Sequence, residues 1–240
     1  MITSIQNETI KTIMKLKQKK YRDEMNLYLI EGFHLVEEAR KHHCIQYLIT
    51  TLDQHFDEET LYVSESVMKK LAFTKTPQPI MAVCHKPQNQ QLHENGKRYL
   101  LLDRVQDPGN VGTIMRTALA FGYDQIIMSP DCVDLYNDKV IRATQGALFQ
   151  MSVCTMDLVE TIQSLQAQGV IVYGTSLYHA QSIDHYTIQE KMAFVMGNEG
   201  QGVSQHLLEK CDDNLYIPIQ TVESLNVAIA AAITMYHFQL

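Results

Sequence analysis

Asn110 and Arg116 stand six positions apart in the stretch Leu101–Gly122, LLDRVQDPGNVGTIMRTALAFG. The arginine brings a permanently protonated fork of donors that suits phosphate and other oxyanions. The stretch reads as a buried strand over Tyr99–Asp103, a tight polar loop over Arg104–Asn110 and an apolar helix over residues 111–121. Asn110 is the expected N-cap and Gly122 the expected C′ residue, with Pro108-Gly109 turning the chain sharply before the cap. Such a junction points free N–H groups at the loop and favours an anion there. Arg116 is under two turns up the helix, so its side chain reaches back towards the same place. The same residues also fit an ordinary strand-to-helix turn with a surface arginine in an ion pair.

Two later stretches have the same form. Phe194–Ser204, FVMGNEGQGVS, ends a strand at Gly197 and enters a helix through a glycine-rich loop. It is neither a P-loop nor a dinucleotide fingerprint, because no Gly-Lys-Ser/Thr follows and Gly197, Gly200 and Gly202 do not fit G-x-G-x-x-G. Its glycines let backbone approach a ligand closely. Glu199 would stand at the C-terminal edge of a sheet, where open α/β sheets bind ligands; a solvated loop carboxylate is the other reading. Ile217–Ala228, IPIQTVESLNVA, places Ser224 as an N-cap by type and Asn226 in the first turn of an apolar helix. Capping alone accounts for Ser224, whereas the Asn226 amide needs a partner, which a ligand would supply. If the three strands are neighbours, Asn110, Arg116, Glu199, Ser224 and Asn226 form one site.

The elements around these junctions alternate in type, so the expected fold class is α/β. Residues 3–20 read as a helix with Ile5, Ile10, Ile13, Met14 and Leu16 on its apolar face and Lys11, Lys15 and Lys19 as a basic stripe. A strand at Leu27–Ile30, a helix at Glu31–Lys41 with Phe33, Leu35, Val36 and Ala39 inward, and a strand at Ile45–Thr50 follow. Ser64 caps a helix over Glu65–Ala72, and Ile80–Cys84 is a strand. The polar stretch Lys86–Lys97, KPQNQQLHENGK, is the linker, which places domains over residues 1–92 and 93–240. Beyond it, strands are expected at 99–103, 125–129, 149–154, 170–175, 193–197 and 214–219. Helices are expected at 111–121, 138–146, 158–168, 204–210 and 225–238. Strands apolar on both faces, such as VIVYG and AFVMG, suit a mostly parallel sheet covered on both sides. The last helix, LNVAIAAAITMYHF, is apolar nearly all round, which fits either a subunit partner or a fully internal position.

With 240 residues, 45% hydrophobic and 20% charged, the chain has the composition of a soluble globular protein. No apolar run reaches a membrane span and the N-terminus shows no signal-peptide core, so a cytoplasmic location is expected. The five cysteines are far apart without a C-x-x-C pair, which suits a reducing compartment, and no H-E-x-x-H stands among the ten histidines, so no metal is expected. A net charge of −7 requires any nucleic-acid contact to be local. Lys11, Lys15, Lys17, Lys19, Lys20 and Arg22 supply such a cluster, or else a solvated helix face.

Taken together, DPGNVGTIMRTALAFG, FVMGNEGQGVS and IPIQTVESLNVAIAAA resemble the three signature motifs of the SpoU/TrmH family, in the SPOUT class of RNA methyltransferases. The resemblance covers residues 98–240, including RATQGALF at 142–149, which is similar to the family's RASxGA segment. ITSIQN and LIEGFHLVEEA resemble the family's L30e-like substrate-binding extension. This resemblance implies a C-terminal trefoil knot, a homodimer with the active site near the subunit interface, and S-adenosylmethionine as methyl donor. It implies cofactor contacts from Thr175, Ser176, Leu177, Met196, Gly197, Asn198, Gly202, Ile217, Ile219, Ser224, Leu225 and Asn226. Arg116 is implied as the catalytic residue for methylation of a ribose 2′-hydroxyl, with Asn110, Glu199, Ser224 and Asn226 shaping the site. Lys11, Lys15, Lys19, Arg22 and Arg142 are the expected RNA contacts. The expected substrate is 23S rRNA; a tRNA 2′-O-methyltransferase and a non-catalytic RNA-binding protein on the same scaffold are the alternatives. A nicotinamide oxidoreductase is disfavoured by the absent fingerprint, and base methylation by the NxGxxxR and SLN motifs.

Overall fold

The computed structural model describes residues 1–87, 91–222 and 224–239, so part of the linker placed at Lys86–Lys97 (88–90) and Glu223 of the third motif lie outside the described residues. In chain order the first elements are α1 (Glu8–Lys15), α2 (Lys19–Met25), β1 (Leu27–Glu31), α3 (Phe33–Lys41), β2 (Ile45–Thr50), β3 (Thr60–Tyr62), α4 (Glu65–Leu71) and β4 (Ile80–His85). Then come β5 (Arg98–Leu102), α5 (Pro108–Ala120), β6 (Gln125–Met128), α6 (Asp138–Thr144), β7 (Val153–Thr155) and α7 (Leu158–Ala167). The last are β8 (Ile171–Thr175), β9 (Gln181–Ser182), β10 (Met192–Met196), α8 (Gln205–Leu208), β11 (Asp213–Tyr216) and α9 (Val227–His237). They form two compact units, Met1–Gln88 with Asp134–Phe149, and Asn89–Val133 with Gln150–Leu240. The segment Asp134–Phe149, which follows the linker in sequence, thus packs with the first unit.

The first unit is a four-stranded sheet in the order β1-β4-β2-β3, antiparallel except for the β2–β3 pair. Its core joins Ile10, Ile13 and Leu16 to Val67, Met68 and Leu71 over Leu29, Ile49, Met81 and Val83. The single helix expected over residues 3–20 is two helices. Arg22 decides the break: its guanidinium is buried, donates to the Leu16 carbonyl at 2.8 Å and pairs with Asp134. A chain running straight through Leu16 could not present that carbonyl to Arg22. The break places Lys11 and Lys15 on α1 and Lys19 on α2, so the expected stripe is not one helix face. Burial and the Asp134 pair also remove Arg22 from the exposed basic residues. Two apolar residues read as inward are exposed: Ile5, which precedes α1, and Phe33, the first residue of α3.

The second unit is a seven-stranded sheet in the order β7-β6-β5-β10-β8-β11-β9, parallel throughout. Every residue of β5, β6 and β10 is buried, and apart from Arg98 and Gln125, which open β5 and β6, these strands are apolar throughout. Parallel strands need crossovers, and all their C-terminal ends open on one edge of the sheet. The late strand β10 lies between β5 and β8, with β11 next to β8. The ends of β5, β10, β8 and β11 are therefore consecutive neighbours, and the loops that follow them emerge side by side. Helix α5 packs against α9. None of the described helices is long and apolar enough to cross a membrane.

Candidate active site

Residue 110 does not cap its helix. Asp107 is the N-cap of α5, accepting from the Asn110 N–H at 2.8 Å, and Pro108 occupies the first helical turn, where a missing N–H is harmless. This frees the Asn110 side chain. Its Nδ2 donates to Glu199 Oε1 at 3.0 Å, and its Oδ1 accepts from Asn226 Nδ2 at 2.9 Å. Asn226, not Ser224, caps the last helix, its Oδ1 accepting from the Ala228 and Ile229 N–H groups at 2.9 and 3.3 Å. Glu199 also accepts from the Asp107 and Gln106 N–H groups at 3.0 and 3.3 Å. One hydrogen-bonded chain therefore runs from the start of α9 through Asn226, Asn110 and Glu199 to the loop after β5. Burial raises the Glu199 carboxyl, but the donors from Asn110 and from backbone outweigh it and hold the group below the ordinary glutamate value.

A second latch ties the loops after β5 and β10. Asp103 is buried at the end of β5 and accepts from the Ser204 N–H and hydroxyl at 2.8 and 2.6 Å. Arg104, in left-handed backbone at φ 56°, pairs with Asp103 and donates to Gln201 at 2.8 Å. Asn198 donates to the Arg104 carbonyl at 2.9 Å and accepts from the Gly200 and Gln201 N–H groups. Sequence reading passes over Asp103 and Arg104. Their signal, a charged pair directly after an apolar strand, is also what any strand end looks like.

Burial raises the Asp103 carboxyl, and its donors from Arg104 and Ser204 more than reverse this, leaving it depressed. A depressed carboxylate adds stability that is fully present above its unfolded value, about 3.9, and is lost as pH falls through the folded value. Asp103→Asn is therefore expected to lower unfolding free energy by about 2 kcal/mol at pH 7. In urea titrations this deficit should shrink below about pH 4. A deficit that persists unchanged into acid would show that the carboxylate charge is not what holds Ser204.

These loops enclose a cleft of about 1120 Å³. Thr175, Ser176 and Leu177 line it after β8, Met196, Gly197, Asn198 and Gly202 after β10, and Ile217, Ile219, Ser224 and Leu225 after β11. Glu199 also lines it; Asn226, expected as a cofactor contact, is not in its wall but donates to Asn110. Arg116 is on the exposed face of α5, does not line the cleft, and makes no hydrogen bond or ion pair to the described residues. The walls mix apolar side chains with loop backbone. Among the described residues lining the cleft Arg104 is the one arginine, it already pairs with Asp103, and no lysine joins it, whereas Glu199 and Glu209 are both present. That charge balance is wrong for a pyrophosphate and right for a nucleoside carrying a positive sulfonium. Among the described residues no cluster of His, Cys, Asp or Glu is placed to hold a metal ion.

A family model described as the SpoU rRNA Methylase family matches residues 97–236, which include all three junctions. The chain belongs to the SpoU rRNA methylase family. Residues 7–82 match a model described as an MRM3-like substrate binding domain. The chain is 42% identical to the 23S rRNA (guanosine(2553)-2′-O)-methyltransferase RlmP of Bacillus subtilis, over 99% of this chain and 98% of that protein. Among solved structures it is similar to a putative RNA methyltransferase of the TrmH family from Porphyromonas gingivalis, at TM-score 0.89 and 33% identity, covering 98% of both chains. It is also similar to the AdoMet-bound rRNA methyltransferase from Sinorhizobium meliloti, at TM-score 0.87 and 31% identity, covering 98% of this chain and 95% of that one. The residues matched by the SpoU model thus supply the cleft, with Gly197, Asn198, Glu199 and Ser224 of the motifs in its wall.

Proposed function

We propose that the protein transfers a methyl group from S-adenosylmethionine to a ribose 2′-hydroxyl of 23S rRNA, in the cytoplasm, as a homodimer. The observation that carries this is the Glu199–Asn110–Asn226 chain, which joins three remote motifs beside a nucleoside-sized cleft. The substrate class follows the full-length similarity to the Bacillus subtilis enzyme, whose name specifies a guanosine 2′-hydroxyl of 23S rRNA. A homodimer is supported by Ile229, Ile233 and Tyr236, exposed at helical spacing on α9, an apolar stripe that a second subunit would cover. The C-terminal knot belongs to the same reading, since β10 and β11 return to the interior of the sheet late in the chain.

S-adenosylmethionine, when bound, supplies a methyl on a positive sulfur, ready for displacement by an oxygen nucleophile. The loops after β8, β10 and β11 are the residues to hold it, their apolar side chains against the nucleoside and Glu199 favouring its positive charge. Asn110 and Asn226 are positioning residues, fixed by Glu199 and by the start of α9. Arg116 and Ser224 are the motif residues left without a hydrogen-bond partner among the described residues, and of the two only Arg116 carries a charge. A guanidinium is a very weak base, which makes a clamp physically easier for Arg116 than a literal base role. Its fork can instead grip an RNA phosphate while donating to the 2′-hydroxyl oxygen, aligning it and favouring passage of its proton to solvent water as the O–CH3 bond forms and the sulfur–methyl bond breaks.

The deciding experiment incubates the purified protein with labelled S-adenosylmethionine and unmethylated 23S rRNA, then maps alkali-resistant linkages. One resistant site is expected. Incorporation into tRNA alone would reassign the substrate, and labelled base instead of ribose would overturn the reaction.

Lys11 and Lys15 on α1 are exposed and can meet phosphate, although Lys11 also pairs with Glu8 at 2.9 Å. Lys19 pairs with Asp23 at 2.6 Å and Arg142 with Asp138 at 2.9 Å, so each gives up an ion pair to bind RNA. Replacing Lys11 and Lys15 by glutamine is expected to reduce the slope of log binding constant against log salt by about 1 per lysine. An unchanged slope would mark α1 as merely solvated.

A further inference from the structure

Strand β8 carries a glycine inside a buried parallel sheet, where its backbone freedom is a cost. Gly174 is buried, stands one residue before the end of β8 and pairs in register with Asn214 of β11. A glycine at such a place marks the close approach of another group. Here that group is the Asn214 side chain. A Cβ on residue 174 would stand 2.3 Å from Asn214 Oδ1 and 2.7 Å from Leu208 Cδ2. The absent methyl therefore gives the amide its place beside Leu208, and both residues line the large cleft.

The main chain of Asn214 is fully engaged: its N–H donates to Asp213 Oδ1 at 2.8 Å and its carbonyl accepts from the Tyr186 hydroxyl at 3.0 Å. The side chain is not. Oδ1 is buried and has no hydrogen-bond partner among the described residues. An unpaired buried acceptor costs more than an ordinary hydrogen bond returns, and a leucine of similar volume would avoid that cost. The position suits a donor that arrives with a ligand. In S-adenosylmethionine the carboxylate only accepts and the ammonium only donates, whereas the adenine edge sets an amino donor beside a ring-nitrogen acceptor. A turn about χ2, a torsion with broad preferences, presents Oδ1 and Nδ2 side by side, the complement of that edge.

We infer that Asn214 selects the adenine of the cofactor, accepting from its 6-amino group through Oδ1 and donating to the adjacent ring nitrogen through Nδ2, with Leu208 against the ring. The inference rests on the reading of the cleft as the S-adenosylmethionine site. It places the base on the β8–β11 side of the cleft. The strand order β5-β10-β8-β11 then leaves the sulfonium to the side of β10 and β5, where Glu199 meets Asn110.

The test titrates the full chain calorimetrically with S-adenosylhomocysteine and with its 6-deamino analogue, in which purine replaces adenine. The parent is expected to bind the adenine form about tenfold more tightly, the worth of one hydrogen bond to a group otherwise left unpaired. Asn214→Leu is expected to bind the two forms alike. A variant that only disturbed packing would weaken both by one factor and keep their ratio. Because this change removes an unpaired acceptor, the ligand-free melting temperature is expected at or above that of the parent. Asn214→Ser, smaller than the residue it replaces and too short to reach the base, guards against a leucine that does not fit, and the same loss of preference is expected. A variant that keeps the preference, or a parent that shows none, overturns the role of Asn214 and leaves the cofactor reading intact. A parent that binds neither form overturns the cofactor reading, and this inference with it.

Discussion

Gly197→Ala is expected to abolish S-adenosylmethionine binding and to destabilise the second unit by more than about 4 kcal/mol, the range reserved for changes that a fold cannot absorb. A Cβ at this position would lie 2.1 Å from both the Gly202 carbonyl carbon and the Val203 nitrogen. Those are backbone atoms, and they are pinned. Asn198 and Gly202 exchange two backbone hydrogen bonds at 3.0 and 2.9 Å, and Asp103 holds the Ser204 N–H one step further on. No side chain can rotate away, so the loop must open, and with it go Met196, Asn198 and Gly202 as walls of the cleft. Gly200→Ala is the control. A Cβ there meets only Asn198 Oδ1 at 3.7 Å, an ordinary contact, and near-parent behaviour is expected. Calorimetric titration of the cofactor and urea unfolding of both variants read the difference. A Gly197→Ala protein that binds the cofactor like the parent would mean that the loop closed by the Asn198–Gly202 hydrogen bonds is not the binding conformation.

The difference between these two glycines was not legible in the sequence, where both stand in GNEGQG with equal claim to freedom. What was legible is local. Apolar runs marked β5 and β10, and Ser64 does cap α4 as its type suggests. Caps with two candidates were misread. DPGN offers Asp107 and Asn110, and the chain takes the earlier one because Pro108 is suited to the first helical position. SLN offers Ser224 and Asn226, and there the later one caps. Both outcomes free or orient an amide for the Asn110–Asn226 bond, which a one-helix-at-a-time reading has no means of weighing. Strand adjacency was equally hidden, since β5 and β10 pair across about ninety intervening residues. The break after α1 is a tertiary event: KLKQKK contains no glycine or proline, and it is the buried Arg22 that claims the Leu16 carbonyl. The packing of Asp134–Phe149 with the first unit has the same origin, in the Asp134 pair with Arg22 and the tilted contact of Tyr136 with Tyr28.

Arg116→Ala should leave cofactor affinity and stability at parent values while methyl transfer falls by at least about a thousandfold, or about 4 kcal/mol of barrier. The separation follows from where the residue stands. Its side chain is exposed, lines no part of the cofactor cleft and makes no bond to the described residues, so its removal exposes no cavity and breaks no latch. All it can lose is what it would do to bound RNA. Arg116→Lys sharpens the argument. If charge alone mattered, lysine would restore most of the rate; if the fork must grip a phosphate and an oxygen together, lysine restores little. The pH profile separates the remaining options. A lysine acting as a base would give a rate that rises with pH and levels at its own ionisation, whereas with a clamp the hydroxyl gives its proton to solvent and the rate keeps rising across the neutral range without levelling. Single-turnover measurements at saturating cofactor, for the parent and both variants from pH 6 to 9, decide among these outcomes. A parent-like rate in Arg116→Ala would remove the guanidinium from the reaction and transfer the burden of aligning the hydroxyl to Asn110 and Glu199.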